Sequence, residues 1–281
     1  MRIVTYSHES RGPEAGIVAG GLVRSLADIG YPSVIAFLEA GERAVAKARM
    51  HDDGTGLPLE SVRLHAPIPN PGKFICIGLN YRDHAIESGM EIPEIPTVFT
   101  KYGNAVCGPG DPIVLPSVSS QVDYEAEFAF VLGRRAKRVK AADWEDYVFG
   151  YTCVHDVSAR DYQLATSQWT IGKTFDTFGP MGPVLVSRDE VPDVNNLRVR
   201  FDLNGRILQD SSTSQLVFDV PALLEYLSTV MTLEPGDIVS TGTPPGVGMA
   251  RKPPVYLQPG DTCTVFVEGI GELVNPCISE E

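Results

Sequence analysis

Three acidic residues stand where strands could carry them to one place. In Asp123-Tyr124-Glu125-Ala126-Glu127-Phe128-Ala129-Phe130-Val131-Leu132 the pattern alternates with the period of a strand. Glu125 and Glu127 then share one face, while Phe128, Phe130 and Leu132 share the other. Two carboxylates one pleat apart repel unless a cation lies between them, and a hard divalent ion suits oxygen donors. An amphipathic strand with a solvated acidic face has the same pattern, and the fragment alone leaves both readings open. Asp156 follows the strand-like run Tyr151–His155 and precedes Ser158-Ala159-Arg160-Asp161, whose S-x-x-D spacing predicts a helix start. That places Asp156 at a strand end, either as a functional carboxylate or as a further helix cap. No histidine sits at ligand spacing from these acids, so Mg2+ or Mn2+ fits better than Zn2+.

A possible base lies upstream. If Asn80–Glu87 is helical, His84 and Glu87 are neighbours at i, i+3, and the carboxylate can hold the imidazole tautomer and raise its basicity. A surface contact between the two is the plain alternative. The segment Gly89–Pro96 that follows is polar and hinge-rich, the composition of a lid. Two glycine-rich turns, Gly172–Pro180 and Ser240–Gly248, carry Lys173 and several threonines, and neither has the spacing of a phosphate-binding P-loop. Lys173 can supply local positive charge. Arg82, Met90 and Tyr162 are candidates to line a pocket.

The elements that must position these groups are mostly strands. Gly16–Val23 reads as a short strand, and Ser33 as the cap of a helix running to about Met50. The proline- and glycine-dense Pro67–Gly72 marks a boundary, dividing a small unit at 1–66 from a larger one at 67–281. Beyond it, Phe74–Leu79, Val122–Leu132, Val148–Val154 and Val184–Val186 look like strands. Asn204-Gly205 joins two more as a hairpin. Pro-Gly-Asp recurs at 109–111, 235–237 and 259–261, each time as a turn leading into a β-prone run. One helix, about Val220–Met231, interrupts the strands. The predicted class is α+β, mostly β, with a small N-terminal α/β extension; a doubly wound sheet does not fit.

The 281 residues hold 23 Lys and Arg against 36 Asp and Glu, a net charge of −13. So acidic a surface repels nucleic acid and anionic membranes, so neither is an expected partner. An anionic substrate would need local positive charge. Five scattered cysteines without a C-x-x-C pair argue against a disulfide framework, and with no apolar leader or long apolar run they point to a cytoplasmic setting.

Taken in order, Y-E-A-E-F, H-D-V-S-A-R-D-Y-Q, G-K-T-F-D-T-F-G-P and S-T-G-T-P-P-G-V-G, with N-Y-x-D-H-x-x-E upstream, resemble the fumarylacetoacetate hydrolase family over roughly residues 72–278. Residues 1–66 resemble the variable extension of its bacterial members. The resemblance implies a mixed β-roll, a homodimer and one divalent ion, Mg2+ or Mn2+, per subunit. It implies Glu125, Glu127 and Asp156 as metal ligands and His84 with Glu87 as a water-activating dyad on a lid. Lys173 would stabilise developing negative charge, and Thr243, Gln163 and Arg82 would contact a small anionic 2-oxo acid. The intact dyad favours C–C hydrolysis of an acylpyruvate-type β-diketo acid to pyruvate and a carboxylic acid. Decarboxylation of an oxaloacetate-type acid, or isomerisation or hydration of a hydroxymuconate-like or sugar acid, are the alternatives. A metal-stabilised binding protein without turnover is a further one, though it gives the His–Glu pair no purpose.

Overall fold

The structure, a computed structural model, describes residues 1–9, 12–51, 54–89, 91–191 and 193–280. Met90 lies outside the described residues. The chain opens with β1 (Arg2–Ser7). The single strand read from Gly16–Val23 is instead a hairpin, β2 (Glu14–Ala19) and β3 (Leu22–Ser25). Its turn is Gly20-Gly21, both at left-handed φ (57° and 78°), where side chains would be strained. Ser33 caps the next helix as expected, its hydroxyl accepting from Ala36 N at 3.1 Å. The helix to Met50 is in fact two, α1 (Val34–Glu39) and α2 (Glu42–Met50), because Gly41 turns to φ 60° between them. Strands β4 (Leu57–Pro58) and β5 (Arg63–His65) complete this part.

The rest is dominated by strands. In order come β6 (Phe74–Gly78), α3 (Arg82–Ser88), β7 (Thr97–Lys101), β8 (Val106–Cys107) and β9 (Ile113–Leu115). Then follow β10 (Val122–Asp123), β11 (Ala126–Leu132), β12 (Val148–His155), β13 (Ser158–Ala159), α4 (Arg160–Gln163) and α5 (Thr170–Lys173). The chain ends with β14 (Gly179–Ser187), β15 (Arg198–Leu203), β16 (Arg206–Ser212), α6 (Val220–Val230), β17 (Ile238–Ser240), β18 (Thr262–Val267) and β19 (Gly271–Ser279). Asn204 and Gly205 form the β15–β16 turn with φ of 54° and 82°. Asp219 caps α6 by accepting from Ala222 N at 2.9 Å. Ser158 caps nothing: it pairs in β13, its hydroxyl donates to Asp156 O, and α4 starts at Arg160 without a side-chain cap.

One mixed sheet of twelve strands runs β4-β3-β2-β1-β14-β12-β11-β17-β6-β7, with β5 beside β1 and β8 beside β14. Because β1 pairs with β14, this sheet crosses the expected division at Pro67–Gly72. A five-stranded sheet, β16-β15-β18-β19-β9, and a β10–β13 pair complete the β structure. The class is mostly β with mixed sheets, as expected. β11 is buried on both faces: Phe128, Phe130 and Leu132 join a core with Phe201, Val265 and Leu224, while Ala129 and Val131 join a second with Phe37, Leu38 and Ile238. The sheet therefore lies between α1–α2 on one side and the five-stranded sheet with α6 on the other. No helix among the described residues is long and apolar enough to cross a membrane.

Candidate active site

Strand register brings the three acids together. In the antiparallel β11–β12 ladder Glu127 lies opposite Val154 and Ala126 opposite His155, so one step further Glu125 meets Asp156. The Asp156 amide donates to Glu125 O at 2.9 Å. Period two then puts Glu125, Glu127 and Asp156 on the face that Val154 shares with the second core. That face is buried here too, at 6%, 1% and 0% exposure, which excludes the solvated-strand reading. One oxygen from each acid lies within 4.8 Å of the others. His155 points to the opposite core, 5.1 Å from the Phe201 ring, and burial pushes it down to about 3, so it stays neutral there.

Buried cations offset part of the charge of these acids. Lys173 Nζ lies 2.8 Å from both Glu125 Oε2 and Asp156 Oδ2. Lys101 Nζ lies 2.7 Å from Asp156 Oδ1, outside hydrogen-bonding geometry, so that oxygen is ion-paired but not hydrogen-bonded. Arg160 reaches Asp123 at 2.8 Å and Glu125 at 2.7 Å. Neither Lys101 nor Arg160 stands out in the sequence as a site residue. The only available signal was Arg160's place inside the H-D-V-S-A-R-D-Y-Q motif. Burial works against charge on Glu125, but Lys173 and Arg160 outweigh it and hold its carboxyl below the usual range. For Glu127, burial and the charges of Asp156 and Glu125 act together and push the carboxyl well above that range. Its Oε2 accepts from Ser240 Oγ and from Gly242 N, and no cation pairs with it among the described residues. An all-oxygen, buried cluster that is short of positive charge and leaves an Asp156 oxygen without a hydrogen bond fits a hard divalent cation.

The loop after β17 links this cluster to the candidate base. Gly242 donates to Glu127, and Gly246 N donates to both Glu87 oxygens at 3.0 Å. Glu87 in turn meets His84 Nδ1 at 3.2 Å along α3. Burial would raise the Glu87 carboxyl, but the His84 contact, the Gly246 amide and the charge of Arg251 leave it below its ordinary value. Asn80 fixes the start of α3, its side chain bonding Thr241 O and Phe218 O and N. Among the expected substrate contacts, Gln163 is buried and accepts from Arg160 Nη1 at 2.8 Å. Thr243 donates its hydroxyl hydrogen to Ala126 O and accepts from Gln209, so in this arrangement its side chain has no free donor. Arg82 is exposed and donates to Leu216 O. Tyr162 packs edge-on against Phe175 at 5.2 Å.

Comparison with known proteins identifies the family. Residues 73–278 match the family described as "Fumarylacetoacetate (FAA) hydrolase C-terminal". The chain is 44% identical to the mitochondrial oxaloacetate tautomerase fahd2 of Xenopus laevis, over 99% of this chain and 90% of that one. It superposes on the 5-carboxymethyl-2-hydroxymuconate delta-isomerase of Mycobacterium smegmatis with a TM-score of 0.81 at 36% identity, covering both chains fully. The maleylpyruvate hydrolase of Sphingobium sp. SYK-6, in complex with manganese (II) ion and pyruvate, gives 0.85 at 31% identity, again over all of both chains. The chain belongs to the fumarylacetoacetate hydrolase family of enzymes.

Proposed function

We propose that this is a Mg2+- or Mn2+-dependent enzyme that relocates a proton in a small 2-oxo dicarboxylic acid, interconverting the enol and keto forms of an oxaloacetate-type substrate. One observation carries the reading: a single loop, Ser240–Gly248, holds Glu127 of the acid cluster at one end and Glu87 of the His–Glu pair at the other. The likeness to the Xenopus oxaloacetate tautomerase supports the substrate class. It also moves our preference away from hydrolysis, since tautomerisation needs a base and a charge-stabilising site but no attacking water.

With Glu87 at His84 Nδ1, the Nε2 lone pair is free to take the proton from the substrate carbon. The C–H bonding electrons move toward the 2-oxo oxygen, and the proton held by His84 is returned to that oxygen, so one proton leaves carbon, one arrives at oxygen and the base is regenerated. Glu125, Glu127 and Asp156 would hold a divalent ion, which when bound would supply Lewis-acid polarisation of the 2-oxo group. Lys173 and Arg160 stabilise the negative charge that gathers on the substrate, and the buried Arg160 Nη2 has no hydrogen-bond partner among the described residues. Gln163 keeps Arg160 turned toward that task. The same His84–Glu87 pair would also serve to activate water, which keeps acylpyruvate hydrolysis as a second reading. We take the partners to be the dianionic substrate and a second copy of the chain, not nucleic acid or membrane. The five free cysteines fit a reducing, cytoplasmic setting.

The test is metal-stripped protein reloaded with Mn2+ and given enol-oxaloacetate and acetylpyruvate in parallel, beside His84→Ala. Metal-dependent enol-to-keto conversion that falls about 10²-fold or more in the variant is the expected result. Pyruvate release from acetylpyruvate alone would move the assignment to hydrolase. Silence on both substrates would overturn the tautomerase reading.

A further inference from the structure

Lys101 ends β7, and its side chain is fully buried. An ammonium carries three N–H groups, and three oxygens surround this one: Asp156 Oδ1 at 2.7 Å, Val157 O at 3.1 Å and Lys173 O. All three belong to the segments that carry the site. Asp156 and Val157 follow β12, and Lys173 ends α5. With Oδ1 turned to Lys101, the other Asp156 oxygen is the one facing Lys173 Nζ. A single buried charge therefore sets the carboxylate's orientation and the position of the lysine beside it. Two of its N–H groups are hydrogen-bonded to backbone carbonyls and its charge is paired with Asp156, so Lys101 is held by protein groups on every side that the structure shows.

We propose that Lys101 is the positioning residue of the site, orienting Asp156 for cation binding and fixing Lys173 beside Glu125. The proposal rests on the cation site argued above, not on which 2-oxo acid is turned over. Partners that hold metal-binding carboxylates in place typically control metal affinity by about 10–100-fold. A mere electrostatic neighbour would act in the opposite direction, because removing a positive charge beside a cation site tightens it.

The experiment is Mn2+ titration calorimetry on the 281-residue chain and on K101M and K101Q, with circular dichroism to establish folding and turnover in parallel. K101M is expected to weaken Mn2+ binding about tenfold or more. K101Q keeps N–H donors without the charge and is expected to recover part of that loss. Unchanged or tighter Mn2+ binding in a folded K101M protein would overturn the proposal. So would failure of both variants to fold, which would make Lys101 a tie of the fold alone. A parent chain that binds Mn2+ yet turns over no 2-oxo acid would end the tautomerase reading while affinity still decides the role of Lys101. A parent that binds no Mn2+ would end both.

Discussion

At the residue scale, the buried acids are not equivalent. Asp156 faces two lysines, Glu125 faces Lys173 and Arg160, and Asp123 faces Arg160, but Glu127 accepts only from a hydroxyl and an amide. Neutralising Glu127 therefore strands no partner charge, whereas neutralising Asp156 leaves two buried ammonium groups undercompensated. Breaking a buried ion pair from one side typically costs about 3–5 kcal/mol. Glu127→Gln is thus expected to keep the parent's denaturant midpoint without metal and to lose the stabilisation by added Mn2+. Asp156→Asn is expected to lose both, with several kcal/mol removed from its urea unfolding free energy. Equal destabilisation by the two variants would contradict the pairing. The acids were legible in the sequence because a period-two strand and a strand end are local patterns. Lys101 and Arg160 were not, because their importance comes from partners distant in sequence, and a lone lysine at the end of an apolar run has no signature.

At the scale of elements, two very short helices and one loop set the geometry. α4 and α5 pack backbone to backbone at Gly172: a Cβ there would sit 2.3 Å from Gln163 N and 2.7 Å from Ala159 O. Neither is a flexible side chain, so Gly172→Ala must push α5 away from α4 and carry Lys173 with it. A misplacement of about 1 Å in a catalytic group can cost about 10²-fold in rate. We expect G172A to lose turnover on that scale while still binding Mn2+, since the three acids stand on β11, β12 and their ends. A kcat equal to the parent's would show that the position of Lys173 does not matter. The glycine-rich composition of this stretch suggests a turn that carries a lysine, whereas Gly172 and Lys173 belong to α5, and the close packing that makes the glycine necessary leaves no mark in the sequence. The α1–α2 break shows the same limit. The apolar period continues through residues 34–48 while Gly41 alone changes direction, and periodicity does not register one residue's φ.

At the scale of the whole molecule, the open question is whether residues 1–66 are an accessory or part of the scaffold. The composition break at Pro67–Gly72 suggests a separable unit, yet the second core is shared. Ile3, Ile17, Leu26, Val34, Phe37 and Leu38 pack there with Ala129, Val131, Leu185 and Ile238 of the larger part. That is the face of the sheet whose far end carries Glu125, Glu127 and Asp156. A cleft of about 980 Å3 between α1–α2 and the ends of β12 and β14 is lined by none of the candidate site residues. Deleting 1–66 would expose that apolar face along β11, β14 and β17 and uncover the β14 edge that β1 now pairs. Each large side chain left without its packing partners typically costs about 2–5 kcal/mol, against a total stability of about 5–15 kcal/mol. We therefore expect the chain beginning at residue 67 to be aggregated or molten, and the full chain to melt in one calorimetric transition that Mn2+ shifts upward as a whole. At a Mn2+ concentration 100 times its dissociation constant the added stability is about 2.7 kcal/mol, shared by both parts if they unfold together. Two separate transitions, only one of them moved by Mn2+, together with a truncated chain that folds and binds the ion, would instead make residues 1–66 an independent domain.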